Sequence, residues 1–433
     1  MCVVRETTVV TSSFDRLPSL TGLRFIAAFV VFAFHARSGV LLAAPGADPT
    51  SGVMGFLFTQ GATGVSFFFV LSGFVLTWSA REGDTAVRFW RRRAAKIYPN
   101  HLVTAVAALA IAVALATTPS VFAIVTNLLL LQAWVPQESV YFSLNVPSWS
   151  LACEAFFYLC FPLLLAGIRR LRDSWLWPAV LAGFAAVAAV PLVSLVASES
   201  LTYWVVYLLP PVRMIEFVIG ILLAQIVRQG RWIPFGVLPA VALAVAGYLA
   251  SGYLPGPFSW VAGTVVPFAL LIPAVATADL RGGRSVLRAP AMVWLGEVSF
   301  AFYLVHLFTI RITGEILPQR SWSLGVQVLL LVAMGAVTLL ASWALWRVVE
   351  QPMMRVLAGR RTPPARTPDA RPPAPRTVEP RTVGPRKVES RTVESRKSTP
   401  RTAGSGTSVP RPRVPAQPGA ASPGTQSEAN RPQ

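Results

Sequence analysis

Between Ser19 and Trp346 the chain is a succession of mostly apolar runs, each about twenty residues long, the length an α-helix needs to cross the hydrocarbon of a bilayer. Hydrophobic residues make up 54% of the chain and charged residues only 13%, about half the charged share of an ordinary soluble domain. Backbone groups in lipid must be paired within their own segment, so these runs predict an all-α integral membrane fold. Ten spans are expected, at 19–42, 62–79, 98–117, 149–168, 177–197, 203–227, 234–251, 258–277, 291–310 and 323–346.

The apolar stretch 121–134 is too short to cross. If it did cross, every later basic connection would change sides. Read instead as a re-entrant or interfacial segment, it leaves Arg88 to Lys96, Arg169 to Arg172, Arg228 and Arg231, Arg281 to Arg288 and Arg347 all on one side of the membrane. The positive-inside rule makes that side the cytoplasm, with both termini inside a cell membrane. Residues 1–16 form a cytoplasmic N-terminus and 17–357 the membrane domain, with the first apolar run retained as a helix rather than removed as a leader. Residues 358–433 are an Arg/Pro-rich tail that carries too little apolar surface to fold and is expected to be disordered. The formal charge of +19 is concentrated in that tail and in the basic connections, where anionic lipid, not nucleic acid, is the expected partner.

Ionisable residues inside a membrane are costly and mark functional sites. Few are present: Arg24, His35, Glu154, Arg213, Glu216, Glu297 and His306. Arg24 and His35 are eleven residues apart, which returns the helix to the same face with a rise of about 16 Å. His35, Glu154 and His306 are expected to converge on one cavity toward the outer side. Arg213 and Glu216 are three apart and fit an internal ion pair as well as a functional one. Ser299, Tyr303 and His306 share one helix face. The histidines show no metal-ligand spacing, the three cysteines no disulfide pattern, and neither a Gly-x-Ser-x-Gly elbow nor a phosphate-binding glycine loop occurs, so no metal or resident cofactor is expected. A buried histidine able to act as a base, with a basic cluster able to hold a phosphate-bearing donor, points to group transfer in or across the membrane.

Five sequence blocks then resemble the membrane-bound acyltransferase-3 family. They are Ser19-Leu20-Thr21-Gly22-Leu23-Arg24-Phe25 followed by His35, Phe68-Phe69-Val70-Leu71-Ser72-Gly73-Phe74, Arg92-Arg93-Ala94-Ala95-Lys96-Ile97-Tyr98-Pro99, Pro147-Ser148-Trp149-Ser150-Leu151-Ala152-Cys153-Glu154, and Ser299-Phe300-Ala301-Phe302-Tyr303-Leu304-Val305-His306. Each block is short, but all five occur in the family's order. The resemblance covers residues 17–357. It implies transfer of an acyl group, commonly acetyl, from cytosolic acyl-CoA to a hydroxyl, usually of a sugar in a surface glycan, glycolipid or secreted metabolite.

Carried over by residue, His35 is the general base or a transient acyl carrier, and Arg24 holds the donor or stabilises developing negative charge. Glu154 orients His35 or the acceptor hydroxyl. Arg93 and Lys96 occupy the family's Arg-x-x-Arg positions facing the CoA phosphates. Lysine there loses bidentate geometry, a deficit that Arg92 is expected to share. Ser72, Trp149, Tyr303 and His306 are the expected substrate contacts. The competing expectation is a proton-coupled transporter or flippase using the same buried residues. Such proteins often carry two related halves, and no internal repeat is found here.

Overall fold

The computed structural model describes residues 17–42, 48, 50–80, 83–318 and 320–357. The segment 1–16 and the tail 358–433, for which a cytoplasmic N-terminus and disorder are expected, lie outside the described residues. Everything described is helix, turn or short connection. The helices are α1 (Pro18–Leu41), α2 (Gly52–Ser79), α3 (Ala86–Ala114), α4 (Val121–Leu128), α5 (Val146–Ile168), α6 (Asp173–Leu195), α7 (Glu199–Arg228), α8 (Val237–Ser251), α9 (Gly256–Leu280), α10 (Pro290–Ile316) and α11 (Leu324–Leu357). Among the described residues nine of these are long and apolar enough to cross a membrane, and α8 is a shorter apolar helix. They match the ten expected spans one for one.

The short segment behaves as its length requires. Helix α4 has only 8 residues, is capped by the Ser120 hydroxyl on the Ala123 N–H, and ends in a turn where Leu130 takes φ 57°. Reversing a chain inside an apolar layer strands backbone groups unless the protein pairs them. Here buried side chains do so. The Asn127 amide donates to the Ser143 carbonyl (2.8 Å), the Gln132 amide to that of Ser148 (3.0 Å), and His101 Nε2 lies 3.0 Å from the Asn127 carbonyl. The short segment thus packs against α3, with its turn held by buried side chains.

One expectation changes. The basic run from Arg88 to Lys96 was read as a connection before a span at 98–117, but it forms the first turns of α3. Thr85 caps the helix by accepting the Arg88 N–H at 3.3 Å, and Pro99 is accommodated within it. The cations thus project from a rigid helix at the membrane boundary.

The ends of α1 and α9 meet through Asp279, which accepts the Ser19 N–H at 2.8 Å and the Ser19 hydroxyl at 2.6 Å. A carboxylate at this N-terminus satisfies unpaired donors and complements the helix dipole. At the same face Arg228 donates to the Thr77 carbonyl (2.9 Å), and Lys96 is ion-paired with Glu350. We call this the basic face. At the opposite face the Tyr248 hydroxyl donates to the Leu57 carbonyl at 2.8 Å.

The bundle is centred on α2 and α7, whose backbones touch at two glycines. A Cβ on Gly220 would collide with the Val70 carbonyl, and one on Gly73 with that of Phe217. Small residues at such crossings let transmembrane helices pack without a hydrophobic driving force. Beside this crossing Arg213 and Glu216 form a buried ion pair at 3.2 Å, and Arg213 also donates to the Ser66 hydroxyl at 3.1 Å. This favours the internal-pair reading of the two. Replacing Gly220 by Val is predicted to destabilise the purified protein by about 1–3 kcal/mol through overpacking, seen as a lowered thermal midpoint in detergent.

Candidate active site

Helix α1 carries Arg24 and His35 on one face, and each opens into a different cavity. Arg24 lines a cavity of about 140 Å³ toward the basic face, together with Arg93 and Lys96 of α3, Glu154 and Tyr158 of α5, and Ser72 of α2. His35 lines a cavity of about 370 Å³ toward the opposite face, with Arg37, Gln60, Trp149 and the aromatic side chains of Tyr203, Tyr207 and Trp260. Two residues, Val65 and Tyr303, line both. The cavities therefore lie back to back, separated by a wall that includes one apolar and one phenolic side chain.

In the larger cavity the hydrogen bonds define the state of His35. Its Nδ1 lies 3.0 Å from the Val31 carbonyl and 3.2 Å from His306 Nε2. The Nδ1 of His306 in turn lies 2.6 Å from the Tyr303 carbonyl. A carbonyl can only accept, so both rings carry their proton on Nδ1 when neutral. His306 Nε2 is then an acceptor for His35 Nδ1–H, and the lone pair left on His35 is at Nε2. An imidazole held this way can take a proton at Nε2, and the cation so formed keeps two acceptors on Nδ1.

The opposite wall is aromatic. Trp149 and Tyr207 have ring centroids 5.0 Å apart, Tyr207 and Tyr203 stack at 5.5 Å, and Trp260 meets Tyr203 edge-on at 5.2 Å. Arg37 is 5% exposed, donates to the Thr59 hydroxyl at 3.2 Å and lies over the Phe34 ring.

In the smaller cavity Glu154 accepts the Tyr158 hydroxyl at 3.0 Å, and that hydroxyl lies 3.4 Å from Ser72 Oγ. Lys96 is ion-paired with Glu350 of α11, whose other oxygen accepts the Asn100 amide at 2.7 Å. Arg93 lies over the rings of Phe89 and Tyr158. Three cations, Arg24, Arg93 and Lys96, against the carboxylates of Glu154 and Glu350 leave a net positive charge at this pocket, which suits an anion.

Several expected positions come together and others do not. Arg24, Arg93, Lys96 and Ser72 meet in one cavity, and His35, Trp149 and Tyr303 in the other. Glu154 does not join His35. Trp149 begins its helix beside the larger cavity, and Glu154, five residues and about 7.5 Å further along, lies beyond the dividing wall. His306, expected to contact substrate, is 1% exposed, lines neither cavity and stands behind His35. Arg92 also lines neither; its guanidinium is turned to Asp84 and bonded to both carboxylate oxygens.

Sequence reasoning missed Tyr158, Glu350, Arg37 and, in the aromatic wall, Tyr203, Tyr207 and Trp260. Glu350 left one readable signal, a lone carboxylate among the apolar residues ending the last span. Tyr158 is one turn from Glu154. The aromatic residues are common in membrane helices, and no spacing set them apart.

Comparison with known proteins shows the family of the chain. An acyltransferase-domain family profile matches residues 17–347. The chain is 45% identical over 370 residues to the acyltransferase MdmB of Streptomyces mycarofaciens, covering 81% of this chain and 94% of that one. It is 30% identical over 315 residues to the exopolysaccharide production protein ExoZ of Rhizobium meliloti (71% and 94% covered), and 27% identical over 379 residues to nodulation protein 10 of Rhizobium leguminosarum bv. viciae (77% and 92%). No solved structure matches the chain. The match over most of the chain and the identity to an acyltransferase along nearly its whole length establish that this multi-pass membrane protein is an acyltransferase of the acyltransferase-3 family.

Proposed function

We propose that the protein moves an acyl group, in the first instance acetyl, from cytosolic acyl-CoA to a hydroxyl of a carbohydrate presented on the other side of the membrane. The observation that carries this reading is the pair of back-to-back cavities on α1, one rich in cations and one holding an imidazole with a bare nitrogen. On this reading the basic face is cytoplasmic, as its charge requires. Arg24, Arg93 and Lys96 hold the donor phosphates, and the pantetheine arm lies along α1 toward His35.

Acyl transfer to an alcohol needs a base to remove the hydroxyl proton as the oxygen attacks the thioester. His35 Nε2 is that base, and it returns the proton to the departing CoA thiolate. His306 acts through His35 by holding the tautomer. Arg24, about 16 Å along the helix from His35, is a donor-binding residue and too far away to steady charge at the reacting carbon. Glu154 sits among the donor cations and sets their net charge. The carbohydrate acceptor is supported by the aromatic wall, because the faces of aromatic rings are electron-rich and pack against the C–H faces of sugars. ExoZ, named for exopolysaccharide production, is a relative in keeping with such an acceptor.

Three outcomes are expected of protein purified into nanodiscs and supplied with acetyl-CoA and candidate sugar acceptors. Release of free CoA depends on His35, and His35→Ala lowers it by at least about a hundredfold, the usual worth of a positioned base. If wild type and variant release CoA equally, His35 is not the base. Arg93→Ala and Lys96→Ala each raise KM for acetyl-CoA about ten- to a hundredfold, the worth of a charge-assisted contact, with no such rise for acetyl-pantetheine, which lacks the phosphates. His306→Leu lowers kcat by less than His35→Ala and leaves both KM values in place, because it removes one of two acceptors on Nδ1 and touches neither substrate.

A further inference from the structure

The reaction proposed above forms a tetrahedral carbon whose oxygen bears a negative charge, and such an oxygen needs a donor fixed in advance. In many acyl-transfer enzymes backbone N–H groups serve. Inside a transmembrane bundle most backbone N–H groups are committed to their own helices, which turns attention to side-chain donors. Such a group must also stand where donor and acceptor meet. Among the described residues only Val65 and Tyr303 line both cavities, and of the two only Tyr303 has a hydrogen to give.

The surroundings of Tyr303 fit this task. Its hydroxyl lies 3.0 Å from Ser150 Oγ and 3.3 Å from the Pro147 carbonyl, and Ser150 Oγ lies 3.0 Å from that same carbonyl. Ser150 can satisfy Pro147 by itself, which leaves the phenolic O–H able to turn to a new acceptor without orphaning a buried group. The ring is held in tilted contacts with Phe68 and His306. Its carbonyl is the acceptor that fixes the proton of His306, and through it the tautomer of His35. Among other donors, His35 Nδ1–H is already engaged, Arg24 lines only the smaller cavity, and Arg37 lines only the larger one, where it donates to Thr59.

We propose that the Tyr303 hydroxyl is the oxyanion donor of the transfer reaction, an assignment that rests on the acyl-CoA reading above. The acceptor oxygen attacks the thioester carbon while His35 Nε2 takes its proton. The carbonyl π pair moves onto oxygen, where Tyr303 O–H hydrogen-bonds it. When that pair returns, the C–S bond breaks, the thiolate takes the proton from His35, and ester and CoA thiol leave. Ser150 is a positioning residue for Tyr303.

The test compares wild type, Tyr303→Phe and Ser150→Ala in nanodiscs with two donors, acetyl-CoA and its dithioacetyl analogue, in which sulfur replaces the carbonyl oxygen. Tyr303→Phe is expected to lower kcat with acetyl-CoA about a hundredfold, the cost of one oxyanion-hole donor, with KM for both substrates unchanged. Sulfur accepts hydrogen bonds weakly, so the penalty of Tyr303→Phe should largely vanish with the dithioacetyl donor. A structural role would cost the same with either donor. The assignment is overturned if Tyr303→Phe keeps wild-type kcat, or if its loss is equal for both donors. If Tyr303→Phe does not fold, fluorinated tyrosine placed at 303 keeps the hydroxyl and raises its acidity; kcat should rise with acetyl-CoA, and an unchanged kcat overturns the assignment. Should wild type itself consume no acyl-CoA, the acyl-CoA reading fails first; activity that depends on His35 but not on Tyr303 removes only the present inference.

Discussion

A guanidinium and an imidazole on one face of a membrane helix cannot both be left to lipid. Arg24 and His35 impose that constraint on the rest of the bundle, since each needs a polar surrounding built from other helices. The bundle meets it with two cavities in series along α1, and the same device divides the chemistry. Cations gather at one end, from α1 and the opening turns of α3, and the imidazole stands at the other, backed by His306. The helices that close the structure act on the same problem. Asp279 of α9 holds the start of α1, and Glu350 of α11 holds Lys96, so residues more than 250 positions away fix both the register of α1 and the direction of the lysine.

Much of this was legible in the sequence because lipid leaves a chain few choices. Apolar runs of membrane length could only become long helices, and the fourteen-residue run 121–134, too short to cross, forms a helix of only 8 residues. The spacing of Arg24 and His35 correctly put them on one face, and the block from Ser299 correctly put Tyr303 and His306 together. What could not be read was the rotation of each helix against its neighbours. Glu154 sits in its expected helix, yet the dividing wall falls between it and Trp149, and no local pattern encodes where that wall lies. His306 shares a face with Tyr303, but its ring turns to His35, 271 residues away, and so serves the histidine and not the cavity. The basic cluster was readable as charge. That it is helical from Ala86, capped by Thr85, and that Arg92 therefore points to Asp84 while Arg93 and Lys96 point inward, shows only in the structure.

Lysine at position 96 shows how the fold accommodates a departure from the family's arginine. A lysine in a pocket shared with Arg24 and Arg93 needs a fixed counter-charge more than an arginine does, because its compact ammonium is strongly hydrated and easily loses its proton when buried. Glu350 and Asn100 supply that setting. The smaller cavity is thus completed only when the last helix is in place.

The central claim is that donor and acceptor approach from opposite faces and meet at the wall shared by the two cavities. Proteoliposomes of known orientation test it most directly, with acetyl-CoA sealed on the side of the basic face and sugar acceptor present only on the other. The account predicts acylated sugar in the acceptor compartment while CoA stays in the donor compartment. Turnover only when both substrates share one compartment would contradict it.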